Sequence, residues 1–265
     1  MNINYYIIPD CIAFIFGLCI GSFMNVCIYR LPKENLKINR PIRSFCPNCG
    51  VQLHFWENIP LISYLFLRGR CRSCQTGISF RYPLVELISA LFALAVYMKF
   101  GCTLAGFIYF ILLSSLVVIT FIDLDFQIIP NIISLPGIVL GFIASFFLQP
   151  ILTPQESFMG ILFGGGFFSM IAYVFIKIRG IDGMGIGDVK LLAMLGAFFG
   201  IKGVLFIIFV SSVIGTVSGL LIMIQSRSFT LQQKIPFGPF LSIAAMIYVF
   251  WGEALILTYL LWLYS

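Results

Sequence analysis

The sequence predicts an all-α polytopic membrane protein, about eight transmembrane helices with one small extramembrane loop domain. Three observations carry that expectation. Of 265 residues, 60% are hydrophobic and 10% charged, and mean hydropathy is +1.06; soluble domains carry about 25% charged residues. The apolar runs are long and unbroken, whereas membrane β-strands alternate polar and apolar side chains. The excess of basic charge is confined to one segment. Together these exclude a water-soluble globule, a disordered chain and a disulfide-stapled secreted module.

Apolar runs and their breakers place spans at 7–29, 84–99, 103–122, 131–149, 158–177, 189–200, 202–225 and 236–264. The first is read as a retained span and not a signal peptide. No basic residue precedes it in Met1-Asn2-Ile3-Asn4-Tyr5-Tyr6, and no small-residue cleavage site follows. The 189–200 run is too short to cross a ~30 Å hydrocarbon core upright, which suits a partial helix opening onto a cavity. The last run is long enough to tilt, or to break near Gly252 and Glu253.

Charge gives the orientation. Residues 1–29 contain Asp10 alone; residues 30–82 hold nine basic side chains against Glu34 and Glu57; residues 83–265 balance seven basic against seven acidic groups. The chain therefore divides into a first transmembrane helix (1–29), a Cys-containing loop domain (30–82) and a transmembrane core (83–265). Under the positive-inside rule 30–82 faces the cytoplasm and the N-terminus lies outside. Alternation then brings the turns at 123–130, 178–188 and 226–235 to the same face, with Arg179, Arg227 and Lys234. A basic loop can also bind nucleic acid, but one set between two spans is read here as held on anionic membrane lipid, with no nucleic-acid partner.

The eight cysteines are of two kinds. Cys11, Cys19, Cys27 and Cys102 lie singly in or beside apolar runs and are expected as buried small hydrophobes. Cys46-Pro47-Asn48-Cys49 and Cys71-Arg72-Ser73-Cys74 are two knuckles that can set four thiolates at the corners of a tetrahedron, the preference of Zn²⁺. Disulfides are disfavoured in a reducing cytoplasm, and a segment of about 50 residues has little core of its own, so a structural Cys₄ zinc is a plausible staple. Gly50 and Gly77 are suitable turn residues. His54, the lone histidine, is read as a surface residue and not a ligand.

Acids at the edge of hydrocarbon cost free energy and are functional candidates by default. Glu86, Asp123, Asp125, Asp182 and Asp188 are such acids. Two patterns frame them: Ile122-Asp123-Leu124-Asp125-Phe126-Gln127-Ile128-Ile129-Pro130-Asn131, and Gly183-Met184-Gly185-Ile186-Gly187-Asp188-Val189-Lys190. The alternating glycines permit positive φ and close backbone approach. Asp188 falls where a helix begins and the dipole favours its charge, and Pro130 ends an irregular stretch after Asp123 and opens the next helix. Two acids on one membrane face form a proton-sharing pair able to activate water; alternatively each caps a helix or pairs with Lys190 or Arg179.

Gly185-Ile186-Gly187-Asp188 opening a membrane helix, with an Asp at another helix end, resembles the intramembrane aspartyl proteases. The chain is similar, more specifically, to the bacterial type 4 prepilin peptidases. That resemblance rests on Gly21-Ser22-Phe23-Met24-Asn25-Val26-Cys27-Ile28-Tyr29-Arg30-Leu31-Pro32, the two Cys pairs around Trp56-Glu57-Asn58-Ile59-Pro60-Leu61, Arg81-Tyr82-Pro83-Leu84-Val85-Glu86-Leu87, and Ile235-Pro236-Phe237-Gly238-Pro239. It implies a bifunctional enzyme of the bacterial inner membrane. Such an enzyme cuts the basic leader from type IV prepilins and type II secretion pseudopilins after glycine, then N-methylates the new N-terminal residue with S-adenosylmethionine. The resemblance makes Asp123 and Asp188 the catalytic acids, with Asp125, Gly185, Gly187 and Lys190 supporting them. It associates the Cys46, Cys49, Cys71 and Cys74 loop with methylation. No glycine-rich nucleotide fingerprint locates the methyl-donor site. The alternatives are a non-catalytic zinc-binding scaffold subunit of a secretion or pilus machine, and a transporter using the intramembrane acids.

Overall fold

The computed structural model describes residues 4–33, 36–41, 43–149, 151–179, 185–226 and 236–264. Of the residues singled out above, the first three and Glu34, Asp182, Gly183, Met184, Arg227, Lys234 and Ile235 lie outside the described residues. The helices are α1 (Asn4–Arg30), α2 (Ile62–Phe66), α3 (Arg81–Phe100), α4 (Leu104–Phe126), α5 (Asn131–Ser145), α6 (Pro154–Ile161), α7 (Phe168–Arg179), α8 (Ile186–Ser226) and α9 (Gly238–Tyr264). A π-helical turn, Leu162–Phe167, joins α6 to α7. No strand occurs among the described residues, only isolated bridges within the loop domain. The chain forms two compact units, the first ending at Val118 and the second beginning at Ile119.

Six helical stretches are long and apolar enough to cross a membrane: Ile8–Arg30, Arg81–Phe100, Leu104–Phe126, Pro154–Ile178, Ile186–Leu221 and Gly238–Leu263. The expected eight differ at two places. The 131–149 run yields a helix of 15 residues, about 22 Å at 1.5 Å per residue, less than the ~30 Å core. The 189–200 and 202–225 runs form two helical segments of α8 that meet at a kink, where the Gly200 backbone leaves helical geometry (φ 65°, ψ −172°), and together they count as one candidate span. The boundary expected between the two runs falls at this kink, with no loop between the segments. Two local expectations also change. The third span, expected to end at 122, runs on to Phe126, so Asp123 lies in the last turn of α4 and the irregular stretch expected after it begins at Gln127 (φ 55°). The last helix runs through Gly252 and Glu253 without interruption.

In the first unit α1 packs along α3. Gly17 and Gly21, one helical turn apart, permit this: a Cβ at Gly17 would lie 2.6 Å from Ala90 Cα, and one at Gly21 2.6 Å from Glu86 Cα. Small residues at that spacing let membrane helices touch backbone to backbone. The opposite face of α1 presents Ile8, Ile12, Ile15 and Phe23, all more than half exposed. A soluble protein would hide such a stripe; lipid accepts it. Cys11 and Cys19 are exposed too, and Cys102 lies exposed in the turn after α3. Only Cys27 of these four is buried, because the rest fall outside the helix contacts.

In the second unit α8 is the hub, packed against α5, α6, the π-turn and α9. Gly160 and Gly196 meet backbone to backbone, and Gly164 faces the Leu192 carbonyl. The buried Ser157 hydroxyl donates to the Ala197 carbonyl at 2.7 Å, satisfying a polar group between the helices.

Candidate active site and metal centre

Asp123 ends α4 as a buried acid, 5% exposed, while Asp125 two residues on is exposed. Neighbours two apart on a helix point to different sides. The Asp123 carboxylate is held from the far end of the sequence: the Gly238 N–H, the first of α9, donates to Asp123 Oδ2 at 3.0 Å. Amides at a helix start have no partner within their own helix and bind anions. Pro236-Phe237-Gly238-Pro239 supplies this geometry. A Cβ at Gly238 would sit 2.6 Å from Asp123 Oδ2, so only glycine admits the contact.

Asp188 is in the first turn of α8, half-buried, with its N–H donating to the Gly185 carbonyl at 3.0 Å. The Asp188 and Asp123 carboxylates interact electrostatically. Ile129 lies between their supports: positions where Gly187 and Gly238 would carry a Cβ are 3.1 and 3.3 Å from its side chain. Both helix starts, α8 and α9, therefore close on the turn that follows Asp123. Gly185 and Gly187 matter for space and not for left-handed backbone, since neither has positive φ. A Cβ at Gly185 would approach Asp188 Oδ2 to 3.0 Å.

Lys190 pairs with neither acid. Its Nζ donates to Asn131 Oδ1 at 2.9 Å, tying α8 to the start of α5. Pro130 immediately precedes α5 as its N-cap. Gly238, Ile129 and Asn131 are the site residues that residue-level reasoning left without a role. The first was visible only as a glycine between two prolines ahead of an apolar run.

The loop domain brings its four cysteines together. The sulfurs of Cys46, Cys49, Cys71 and Cys74 all lie within 4.8 Å of one another, and Cys46 Sγ is 3.8 Å from Cys74 Sγ. A tetrahedral ion bound at about 2.3 Å sets its sulfurs about 3.8 Å apart, so the cluster fits a metal of that kind. The two knuckles repeat one design. Cys46 N donates to the Val51 carbonyl and Gly50 N to the Cys46 carbonyl; Cys71 N donates to Thr76 and Gln75 N to Cys71, each at 2.9 Å. The left-handed position is Gly50 (φ 72°) in the first knuckle and Gln75 (φ 56°) in the second. Gly77 is not the turn residue it was expected to be; it bridges to Arg70. Hydrogen bonding with the Thr76 side chain and backbone, and with Asn48, lowers the Cys74 pKa to about 5, which favours the thiolate that binds metal. His54 stacks on Trp56 at 4.9 Å and stays exposed, outside the cluster.

Arg30 fastens this loop to the membrane helices. The guanidinium, 4% exposed, donates at 2.7 Å to the carbonyls of Ile38 and Pro41. Glu86, on α3, is 8% exposed and accepts from the Leu61 N–H at 2.8 Å.

Residues 15–100 match the Bacterial Peptidase A24 N-terminal domain and residues 110–220 the Type IV leader peptidase family. The chain is 38% identical over 265 residues to a Prepilin leader peptidase/N-methyltransferase of Pseudomonas aeruginosa, covering 92% of this chain and 91% of that protein. It is 39% identical over 265 residues to the protein of that name from Neisseria gonorrhoeae, covering 89% and 88%. The one from Myxococcus xanthus is 42% identical over 213 residues, covering 80% and 63%. No solved structure matches the chain. At this identity and coverage the chain belongs to the type IV leader peptidase family.

Proposed function

We propose that this chain removes the leader from type IV prepilins and type II secretion pseudopilins and then N-methylates the exposed residue. The cut falls after glycine, at the cytoplasmic face of the bacterial inner membrane. The observation that carries the proteolytic half is the meeting of Asp123 and Asp188, from helices far apart in sequence, around Ile129 and the start of α9. The relatives' shared name supports both halves.

In this reading the two acids share one proton, since two neighbouring carboxyl groups cannot both easily ionise. The ionised member takes a proton from water as its oxygen attacks the glycyl carbonyl; the protonated member donates to the carbonyl oxygen. On collapse the C–N bond breaks and the leaving amine takes up the proton the first acid received. The substrate's apolar helix lies in lipid beside the bundle, which holds the scissile bond in register and supplies proximity. The side-chain-free backbone at Gly185 and Gly187 lets the extended cleavage segment approach closely. The leaders of such precursors are basic, as is the 30–82 segment, so anionic lipid and the acidic turns supply the attraction.

For the second half, S-adenosylmethionine, when bound, would supply an electrophilic methyl group for the newly exposed amine. Cys46, Cys49, Cys71 and Cys74 would hold zinc as a structural centre, knitting the loop and taking no part in the chemistry. The positive-inside rule supports placing the 30–82 segment and both acids on the cytoplasmic side.

The test is incubation of the purified protein with a synthetic precursor and S-adenosylmethionine, followed by mass spectrometry of the product N-terminus. Loss of the leader together with one added methyl is expected. An unchanged precursor would overturn the reading, as a scaffold predicts.

A further inference from the structure

The geometry points to the cavity beneath the cysteine knuckles as the seat of the methyl donor. This rests on the methylation reading above. The cavity, about 360 Å³, lies wholly within the first unit, between α1, the start of α3 and the knuckle loops. That volume is in the range of pockets that hold drug-sized ligands.

Its wall carries polar groups that are expensive to bury and that the fold leaves partly unused. Asn25 is 5% exposed; its Nδ2 donates to the Tyr82 carbonyl at 3.0 Å, while its Oδ1 is buried without a hydrogen-bond partner. A buried acceptor left alone costs free energy, so a native one marks an absent donor. Glu86, from the same wall, is a carboxylate more than nine-tenths buried. It is partnered by the Leu61 N–H and the Ser22 hydroxyl, with no cation paired to it among the described residues. A buried carboxylate of this kind is completed by a positive or hydroxyl-bearing ligand. Tyr29, Phe45 and Tyr82 add aromatic faces.

S-adenosylmethionine offers each matching part: an amino-purine that donates N–H and stacks, a ribose diol, and sulfonium and ammonium charges. Asn25 Oδ1 accepts from the ligand, Glu86 faces its positive charge or its diol, and the aromatic rings flank the purine or the cation. The metal-knit knuckles form the roof, which gives the cysteine loop a direct part in methylation: Cys46 and Cys71 are themselves wall residues.

The experiment uses the full-length protein in detergent and S-adenosylmethionine labelled in its methyl group. Equilibrium dialysis of wild type should show saturable binding, and Asn25→Leu and Glu86→Gln should each weaken it about ten-fold. Ultraviolet cross-linking of wild type, which needs no variant to fold, should place the label on peptides spanning 22–30, 44–48 or 81–86. Label confined to residues after 118, or unchanged affinity in both variants, would overturn the location while leaving methylation intact. No binding by wild type would defeat the methyl-donor reading and this assignment together.

Discussion

Asp123 owes its position to a glycine 115 residues away. The Gly238 N–H reaches its carboxylate only because no side chain intervenes. Gly238→Ala should therefore push the acid off its seat by about an ångström and lower kcat on a synthetic precursor about 100-fold, with KM little changed. Unchanged kcat would mean that the contact is packing alone. Sequence exposed the two acids because carboxylates in a chain this apolar stand out. It hid their support, since the Gly238 N–H meets Asp123, and Ile129 packs between Gly187 and Gly238, through contacts that no local pattern encodes. Lys190 shows the same limit: nothing near it in sequence announces Asn131 as its partner.

At the level of elements, the knuckles were legible because four cysteines at two fixed spacings have one chemistry in common. Which residue turns the second knuckle was not, because Gln75 adopts the left-handed conformation that glycine takes in the first. The closed cluster makes a prediction about order. Stripping metal with a chelator, or substituting Cys46→Ser with Cys71→Ser, should loosen the loop backbone enough for trypsin to cut after Arg68, Arg70 and Arg72, whose side chains are already exposed. Methylation should fall further than peptide cleavage. Trypsin resistance unaltered after complete metal loss would show that the hydrogen bonds of the knuckles suffice. Among the helices, the joint between α6 and α8 depends on Gly160 and Gly196 touching. Gly160→Leu should cost about 1–3 kcal/mol by overpacking, read as a lower melting temperature in detergent. The break at Gly200 followed from a run too short to span; the packing of small residues across it needed the folded partner.

Across the whole molecule, composition alone fixed the class, since 60% hydrophobic residues leave no water-soluble alternative. The count of crossings needed the structure, because Asn131–Ser145 is short and α8 continues through its kink. Orientation is open to direct measurement. A membrane-impermeant protease should leave the Arg68–Arg72 stretch intact in spheroplasts and cut it in inverted vesicles once metal is removed; the reverse would invert the topology. The central claim is that two acids from distant helices perform one peptide-bond cleavage. Purified wild type, Asp123→Asn and Asp188→Asn, matched for melting temperature and metal content, should be given the same synthetic precursor and followed by mass spectrometry. Both variants are expected to lose leader removal by about 1,000-fold or more. Near-wild-type cleavage by either one would contradict a shared site.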